Sequence, residues 1–221
     1  MATQHNFGMS GFPQSQNTVI VAHQGTDTSE FFADLTDASF TLKPLDPSLF
    51  PGVPSSVEAH NGFAAEQART APTILSAVQQ TLSAHGGASL TVIGHSLGAA
   101  LSLLDGVYLR IHLSSSVTVR VVGYGMPRVG NQDFASWVDS HLSGQVTHVN
   151  NKEDPIPIVP GMSLGFHHAS GEVHITDSGT WENCPGQDNP STLCVVGDVP
   201  NIFVGSLSDH DGPYNGISMS C

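Results

Sequence analysis

One serine stands in a setting that could make it reactive. Ser96 lies in Gly94-His95-Ser96-Leu97-Gly98, within the stretch TVIGHSLGAAL that runs from Thr91 to Leu101. An apolar run from Leu90 to Ile93 precedes it and small residues, Ala99 and Ala100, follow. That order predicts a strand, a sharp turn and a helix with the serine at the apex. Glycines two positions to either side let strand and helix approach without side chains between them. The helix start adds free backbone N–H groups beside the hydroxyl. His95 reads as a packing residue, because such a turn points its side chain away from Ser96.

A serine hydroxyl attacks a carbonyl only when a base removes its proton and a carboxylate orients that base. On a strand–turn–helix elbow the partners follow in the order Ser, then Asp or Glu, then His. Asp154 is the best-placed acid, in the loop Asn151-Lys152-Glu153-Asp154-Pro155 after the strand Val146–Asn150. Catalytic groups on parallel sheets gather at such strand ends. Glu153 competes closely, while Asp133, Asp139 and Asp177 have weaker settings. Among the bases His167, His168, His174 and His210, position favours His210, in Ser208-Asp209-His210-Asp211-Gly212 after the last apolar stretch. His167 and His168 follow the acid too soon and read as structural. Twelve histidines raise the rival of a metal site, but no HExxH or tight His/Asp cluster appears. The triad chemistry needs no metal or organic cofactor.

The elements that must position these groups follow from the apolar pattern. Thr18–Ala22 reads as a short buried strand running into the turn His23–Asp27. Ser29–Leu35 reads as a short helix with Phe31, Phe32 and Leu35 on one side, either a core-facing turn or a mobile lid. Residues 43–57 read as loop. A helix is expected from about Gly62 to Ala84, kinked or split at Pro72, whose ring and missing N–H disrupt a helix interior. The nucleophile strand, a helix to about Leu113, a strand over Val117–Val122, a helix over Asp133–Leu142 and a strand over Gln145–Asn150 follow. This alternation argues for an α/β fold with a mainly parallel sheet covered on both faces. Residues 1–17, polar and rich in Gly, Pro, Ser and Gln, are expected to be loosely held, and 18–221 to form one domain.

The totals narrow the function classes. The 221 residues suffice for one α/β domain with a sizeable core. Six Lys and Arg against 19 Asp and Glu give a net charge of −13, which leaves no basic footprint for nucleic acid. Charge also opposes adsorption to anionic bilayers, so any lipid contact must be apolar. No run is long and apolar enough to span a membrane. Met1–Asn6 lacks the features of a secretory signal. Cys184 and Cys194 bracket a loop that a bridge would close into a short ring, which hints at an oxidising compartment. Cys221 has no evident mate.

Eight motifs then occur in one order: GT at Gly25-Thr26, ADLT at Ala33–Thr36, HNGF at His60–Phe63, GHSLGAA at Gly94–Ala100, PRVG at Pro127–Gly130, NKEDPIPIVP at Asn151–Pro160, GFHHA at Gly165–Ala169 and DH at Asp209-His210. In that order they resemble the fungal class 3 lipase family, the lidded triacylglycerol lipases and related feruloyl esterases. The resemblance implies an α/β-hydrolase fold with a short helical lid over about residues 27–36, carrying Phe31, Phe32, Asp34 and Leu35. It puts Ser96, Asp154 and His210 on the triad positions, and Thr26 and Leu97 on the oxyanion hole, with Asp34 holding the Thr26 hydroxyl. It also implies a Cys184–Cys194 disulfide and secretion. Gln24 departs from the arginine usual before that glycine. The family carries some fifty further residues before the first matched strand, including a cysteine that pairs with the C-terminal one. A chain without them is expected to expose a sheet edge, with homodimer formation through it. Ile156, Ile158 and Val159 beside the acid, with Met162, Leu164 and Phe166 beyond, read as an acyl groove or as ordinary core. The resulting expectation is a lipase cleaving triacylglycerol or related lipid esters at an oil–water interface. The alternatives are a feruloyl, sterol or other soluble-ester esterase, and a silent interaction protein on a truncated hydrolase scaffold.

Overall fold

Short β-branched runs separated by helices close into a sheet because each strand alone exposes apolar side chains on both faces. A computed structural model describes residues 8–13, 17–25 and 40–219 of the chain, and of residues 8–10 the backbone only. Five strands run parallel: β2 (Val19–His23), β5 (Ser89–His95), β6 (Thr118–Tyr124), β8 (Val146–Asn151) and β10 (Glu172–Ile175). Antiparallel strands β1 (Gly8–Gly11) and β11 (Trp181–Cys184) flank them, giving the order β1-β2-β5-β6-β8-β10-β11. Part of the stretch expected to be loosely held is thus a strand. The free edge of β2 supplies backbone donors and acceptors that outweigh the poor strand propensity of GMSG.

The helices cover this sheet. α1 (Asn61–His85) starts where the His60 ring accepts the Phe63 N–H at 3.3 Å and ends at left-handed Gly86, whose N–H bonds the Leu82 carbonyl. Its buried face is Phe63, Gln67, Ala71, Ile74, Val78 and Leu82. The helix continues through Pro72 without the split that was one of the two outcomes expected there. That buried face lies on both sides of the proline, so packing holds the two halves in one element. α2 (Leu97–His112) is buried continuously from Gly98 to Leu109, packed against α1, β5 and β6. Burial of each of its Leu and Val side chains contributes on the order of 1.5–3 kcal/mol.

A second, four-stranded antiparallel sheet has the order β3-β4-β7-β9, from β3 (Leu42–Pro44), β4 (Glu58–His60), β7 (Gly130–Asn131) and β9 (Phe166–His167). α3 (Gln132–His141) packs on it, capped by the Asn131 side chain, which accepts the Phe134 N–H at 2.9 Å. Two short helices, α4 (Val195–Asp198) and α5 (Leu207–His210), complete the chain order. Cys184 and Cys194 are joined by a disulfide. Thr26, Phe31, Phe32, Asp34, Leu35 and Cys221 lie outside the described residues.

Candidate active site

Ser96 leaves β5 at φ 56° and ψ −128°, a region that costs a non-glycine residue about 1–3 kcal/mol. Its surroundings enforce that geometry. The Ser96 N–H donates to the Tyr124 carbonyl at 2.9 Å, and its own carbonyl accepts the Ala99 N–H at 2.9 Å. A Cβ on Gly94 would lie 2.2 Å from the Gly98 oxygen, and one on Gly98 would lie 2.6 Å from the His23 oxygen. Strand and helix therefore meet at a distance only glycine permits. Leu97 opens α2, and the first N–H groups of a helix have no acceptor within it.

Asp154 and His210 converge on this turn from separate loops. Asp154 follows β8; its Oδ1 accepts the Ile156 N–H at 2.9 Å and its Oδ2 lies 2.8 Å from His210 Nδ1. Ser96, Asp154 and His210 are each fully buried. The His210 backbone is clamped from three sides. Its carbonyl accepts from His95 Nε2 at 2.8 Å and from the Tyr214 hydroxyl at 3.2 Å, and Asn151 donates to the neighbouring Asp209 carbonyl at 2.9 Å. The His95 and His210 ring centroids are 4.4 Å apart, which sets the imidazole beside the nucleophile turn. Gly125 forms the floor: a Cβ there would lie 2.6 Å from His210 Cε1 and Nδ1 and 2.9 Å from Asp154 Oδ2.

These contacts fix the protonation pattern. A carboxylate facing Nδ1 selects the Nδ1–H tautomer and leaves the lone pair on Nε2. Among the described residues, His210 Nε2 and Ser96 Oγ are buried with no hydrogen-bond partner. Burial first, and then the charge of His210, holds the His95 imidazole below its ordinary pKa. It stays neutral and donates through Nε2. Burial and nearby Asp154 push the Tyr214 phenol well above its ordinary value, so it remains an O–H donor.

Other histidines serve the scaffold around the acid. Arg128, buried, donates from Nε to Asp188 Oδ1 at 2.7 Å and to the carbonyls of Ile158 and Pro160. His167 Nδ1 and the His168 N–H both meet Asp188 Oδ2 at 3.1 Å. His168 Nε2 bonds the Pro157 carbonyl at 2.7 Å, and His174 bridges the carbonyls of Leu193 and Lys152. Glu153, the competitor for the acid, is half-buried and contributes its carbonyl to Ser206 N–H at 2.8 Å. Ile156 sits in the main core, Ile158 in a small cluster with Val195 and Val199, and Val159 packs against the main core. Ile156 and Ile158 are thus buried and Val159 partly buried, with Phe166 also buried. Met162 and Leu164 are the exposed large apolar side chains of that segment. Among the described residues, no group of three or more His, Cys, Asp or Glu could hold a metal ion. No described helix is long and apolar enough to cross a membrane.

Sequence reasoning missed Gly125, Tyr214, Asn151 and the contact from His95 to the His210 carbonyl. It also passed over His23, Asp105 and Gln67, although an aspartate inside LSLLDGVYL and a glutamine on the apolar stripe of α1 were visible irregularities.

The profile of the family described as Lipase (class 3) matches residues 20–164. A secreted mono- and diacylglycerol lipase of Malassezia globosa is 34% identical over 200 residues, covering 89% of this chain and 63% of that protein. The chain thus spans less than two thirds of that relative's length. The crystal structure of a lipase from Rhizopus microsporus var. chinensis superposes with a TM-score of 0.78 at 30% identity, covering 97% of this chain and 71% of that one. A triacylglycerol lipase whose catalytic centre is described as a serine protease triad gives 0.79 at 27% identity, covering 99% and 80%.

Proposed function

The chain belongs to the class 3 lipase family, and from that premise we propose that it is a serine carboxylester hydrolase acting on acylglycerols. The observation that carries this reading is the buried 2.8 Å contact between Asp154 Oδ2 and His210 Nδ1, set beside a serine in the strained elbow conformation. His210 Nε2 takes the proton of Ser96 Oγ as the oxygen attacks the ester carbonyl. Asp154 holds the imidazole and stabilises the imidazolium that forms. The N–H of Leu97 and, by the family resemblance, Thr26 hold the oxyanion; loss of one such donor typically costs about a hundredfold or more in rate. His210 returns the proton to the departing alcohol, leaving an acyl-Ser96. Water then attacks that ester, giving its proton to His210, and the fatty acid leaves as Ser96 Oγ recovers it.

The names of the relatives point to glycerides as substrates and to secretion, and the Cys184–Cys194 bridge suits an oxidising compartment. An interfacial substrate also suits the surface beside the base. Phe203 is 90% exposed, with Val204 and Leu207 exposed along the segment that leads into α5.

The test is an organophosphonate, mapped by peptide mass, together with hydrolysis of mono-, di- and triacylglycerol and of methyl ferulate. The expected result is an adduct on Ser96, glyceride hydrolysis, and its abolition in Ser96→Ala with the melting temperature nearly unchanged. An unlabelled Ser96 overturns the hydrolase reading. Turnover of the ferulate without turnover of any glyceride replaces the lipase reading by a soluble-ester esterase.

A further inference from the structure

Another histidine–carboxylate pair lies next to the Ser96 turn and takes no part in the steps above. His23 ends β2, paired in register with Gly94 of β5. Its Nε2 lies 2.7 Å from Oδ2 of Asp105, which sits inside α2. Gln67 of α1 donates its Nε2–H to Asp105 Oδ1 at 2.8 Å. One carboxylate thus ties together the end of β2, the nucleophile helix and α1. All three side chains are buried, Asp105 completely.

The backbone that this cluster holds lies against the nucleophile. The carbonyls of His23 and Gln24 press on Gly98, where a Cβ would come within 2.6 and 2.8 Å of them. The next residue, Gly25, lies over the turn itself: a Cβ there would be 3.0 Å from the His95 oxygen and 3.6 Å from Ser96 Cβ. The backbone of residues 23–25 therefore contacts the elbow, while the His23 side chain ties it to α2.

Core stability does not account for the arrangement. Among the described residues, His23 Nδ1 and Gln67 Oε1 are buried with no protein hydrogen-bond partner. Apolar residues of the same volume are commonly neutral or stabilising in place of a buried polar cluster. What hydrogen bonds add and apolar packing lacks is direction: they fix where the end of β2 sits on α2.

We propose that His23, Asp105 and Gln67 are positioning residues. They hold the backbone of residues 23–25 on the nucleophile turn and so set the oxyanion-binding side of the site relative to Ser96. The proposal rests on Ser96 being the nucleophile. A misplacement of about 1 Å at a distance from the chemistry can cost on the order of a hundredfold in rate, so small shifts of this segment act on turnover rather than on substrate binding.

The experiment compares His23→Leu, which lacks the donor, with His23→Gln, whose amide can donate to Asp105. Both are assayed on p-nitrophenyl butyrate, with kcat counted per phosphonate-titrated Ser96. His23→Leu is expected to lose about tenfold or more in kcat with KM within about twofold, and His23→Gln to recover to within about threefold of wild type. A kcat unchanged in His23→Leu, or an equal loss in both variants, overturns the positioning role. Should His23→Leu fail to fold, ¹⁵N-histidine NMR of the wild type decides. The His23 N–H resonance shifts on phosphonate capture at Ser96 if the cluster and the site are linked, and an unmoved resonance overturns the link. A wild type that neither hydrolyses the ester nor takes up phosphonate overturns the hydrolase reading itself. An active wild type with unaffected variants overturns only the positioning role.

Discussion

At Gly125 two constraints coincide, and they come from opposite ends of the chain's logic. Its φ of +53° disfavours any side chain, and the space where a Cβ would go is filled by His210 and Asp154. Gly144 shares the first constraint, at φ +67°, but nothing lies within 4 Å of where its Cβ would stand. The pair separates backbone strain from displacement of the base. Gly144→Ala is expected to lower stability by about 1 kcal/mol and leave kcat on a soluble ester unchanged. Gly125→Ala adds a push on the imidazole and is expected to lower kcat by about a hundredfold or more. Thermal melts and initial rates on both variants check this; equal kcat in the two would mean that His210 accommodates the methyl. Ser96, Asp154 and His210 could be picked out of the sequence as candidates because a serine nucleophile would dictate which partners must exist and in what order. Gly125 could not, because its constraint is imposed by residues that meet it only after folding.

At the scale of elements, the acid loop is held by the polar cluster on its far side. Arg128, Asp188, His167 and His168 fix residues 157–160, so the segment after Asp154 is anchored to β9 and to the loop after the β11 cysteine. Burial first, and then the neighbouring His148 and Arg128, depress the His168 pKa from 6.5 to about 3. Above pH 6.5 the imidazole is neutral in both folded and unfolded chains and contributes no pH dependence. Between pH 6.5 and about 3 only the unfolded chain takes the proton, so stability falls as pH drops through that window. His168→Gln, which keeps an N–H for the Pro157 carbonyl, removes that titration. Urea unfolding at pH 7.5 and 4.5 should show the wild type losing about 2–3 kcal/mol more than His168→Gln; equal losses would mean that His168 does not titrate in this window. Four of the five parallel strands and the long helices were legible from apolar period, with ends displaced by one or two residues; the fifth, β10, was not read as a strand. Strands β3, β4, β7 and β9 were not, since two or three residues carry no period and exist only because neighbours offer hydrogen bonds. The split considered at Pro72 failed for a related reason: local chemistry argues for a break, and the buried face across it argues against one.

For the whole molecule, net charge and exposed apolar surface point to one kind of partner. With a charge of −13, long-range electrostatics repels anionic surfaces, so adsorption to a lipid phase must draw on apolar contact. Exposed Phe203, Val204 and Leu207, near His210, offer such a surface. Ser206 N–H bonds the Glu153 carbonyl at 2.8 Å and Gly205 packs on Pro155, so the segment carrying Phe203 and Val204 is fastened to the acid loop. Phe203 at 90% exposure contributes almost nothing to the core, and Phe203→Ser should leave the melting temperature and the kcat on p-nitrophenyl butyrate unchanged. Transfer of a phenyl side chain from water to lipid is worth about 1.5–3 kcal/mol, a factor of about ten or more in the adsorption constant. The rate on emulsified glyceride at low protein concentration should therefore fall about tenfold in Phe203→Ser, and excess enzyme should restore it by mass action. A variant that keeps the wild-type emulsion rate would place the lipid-facing surface elsewhere. A variant that loses the soluble-ester rate as well would show that this segment acts through His210 and not through the interface.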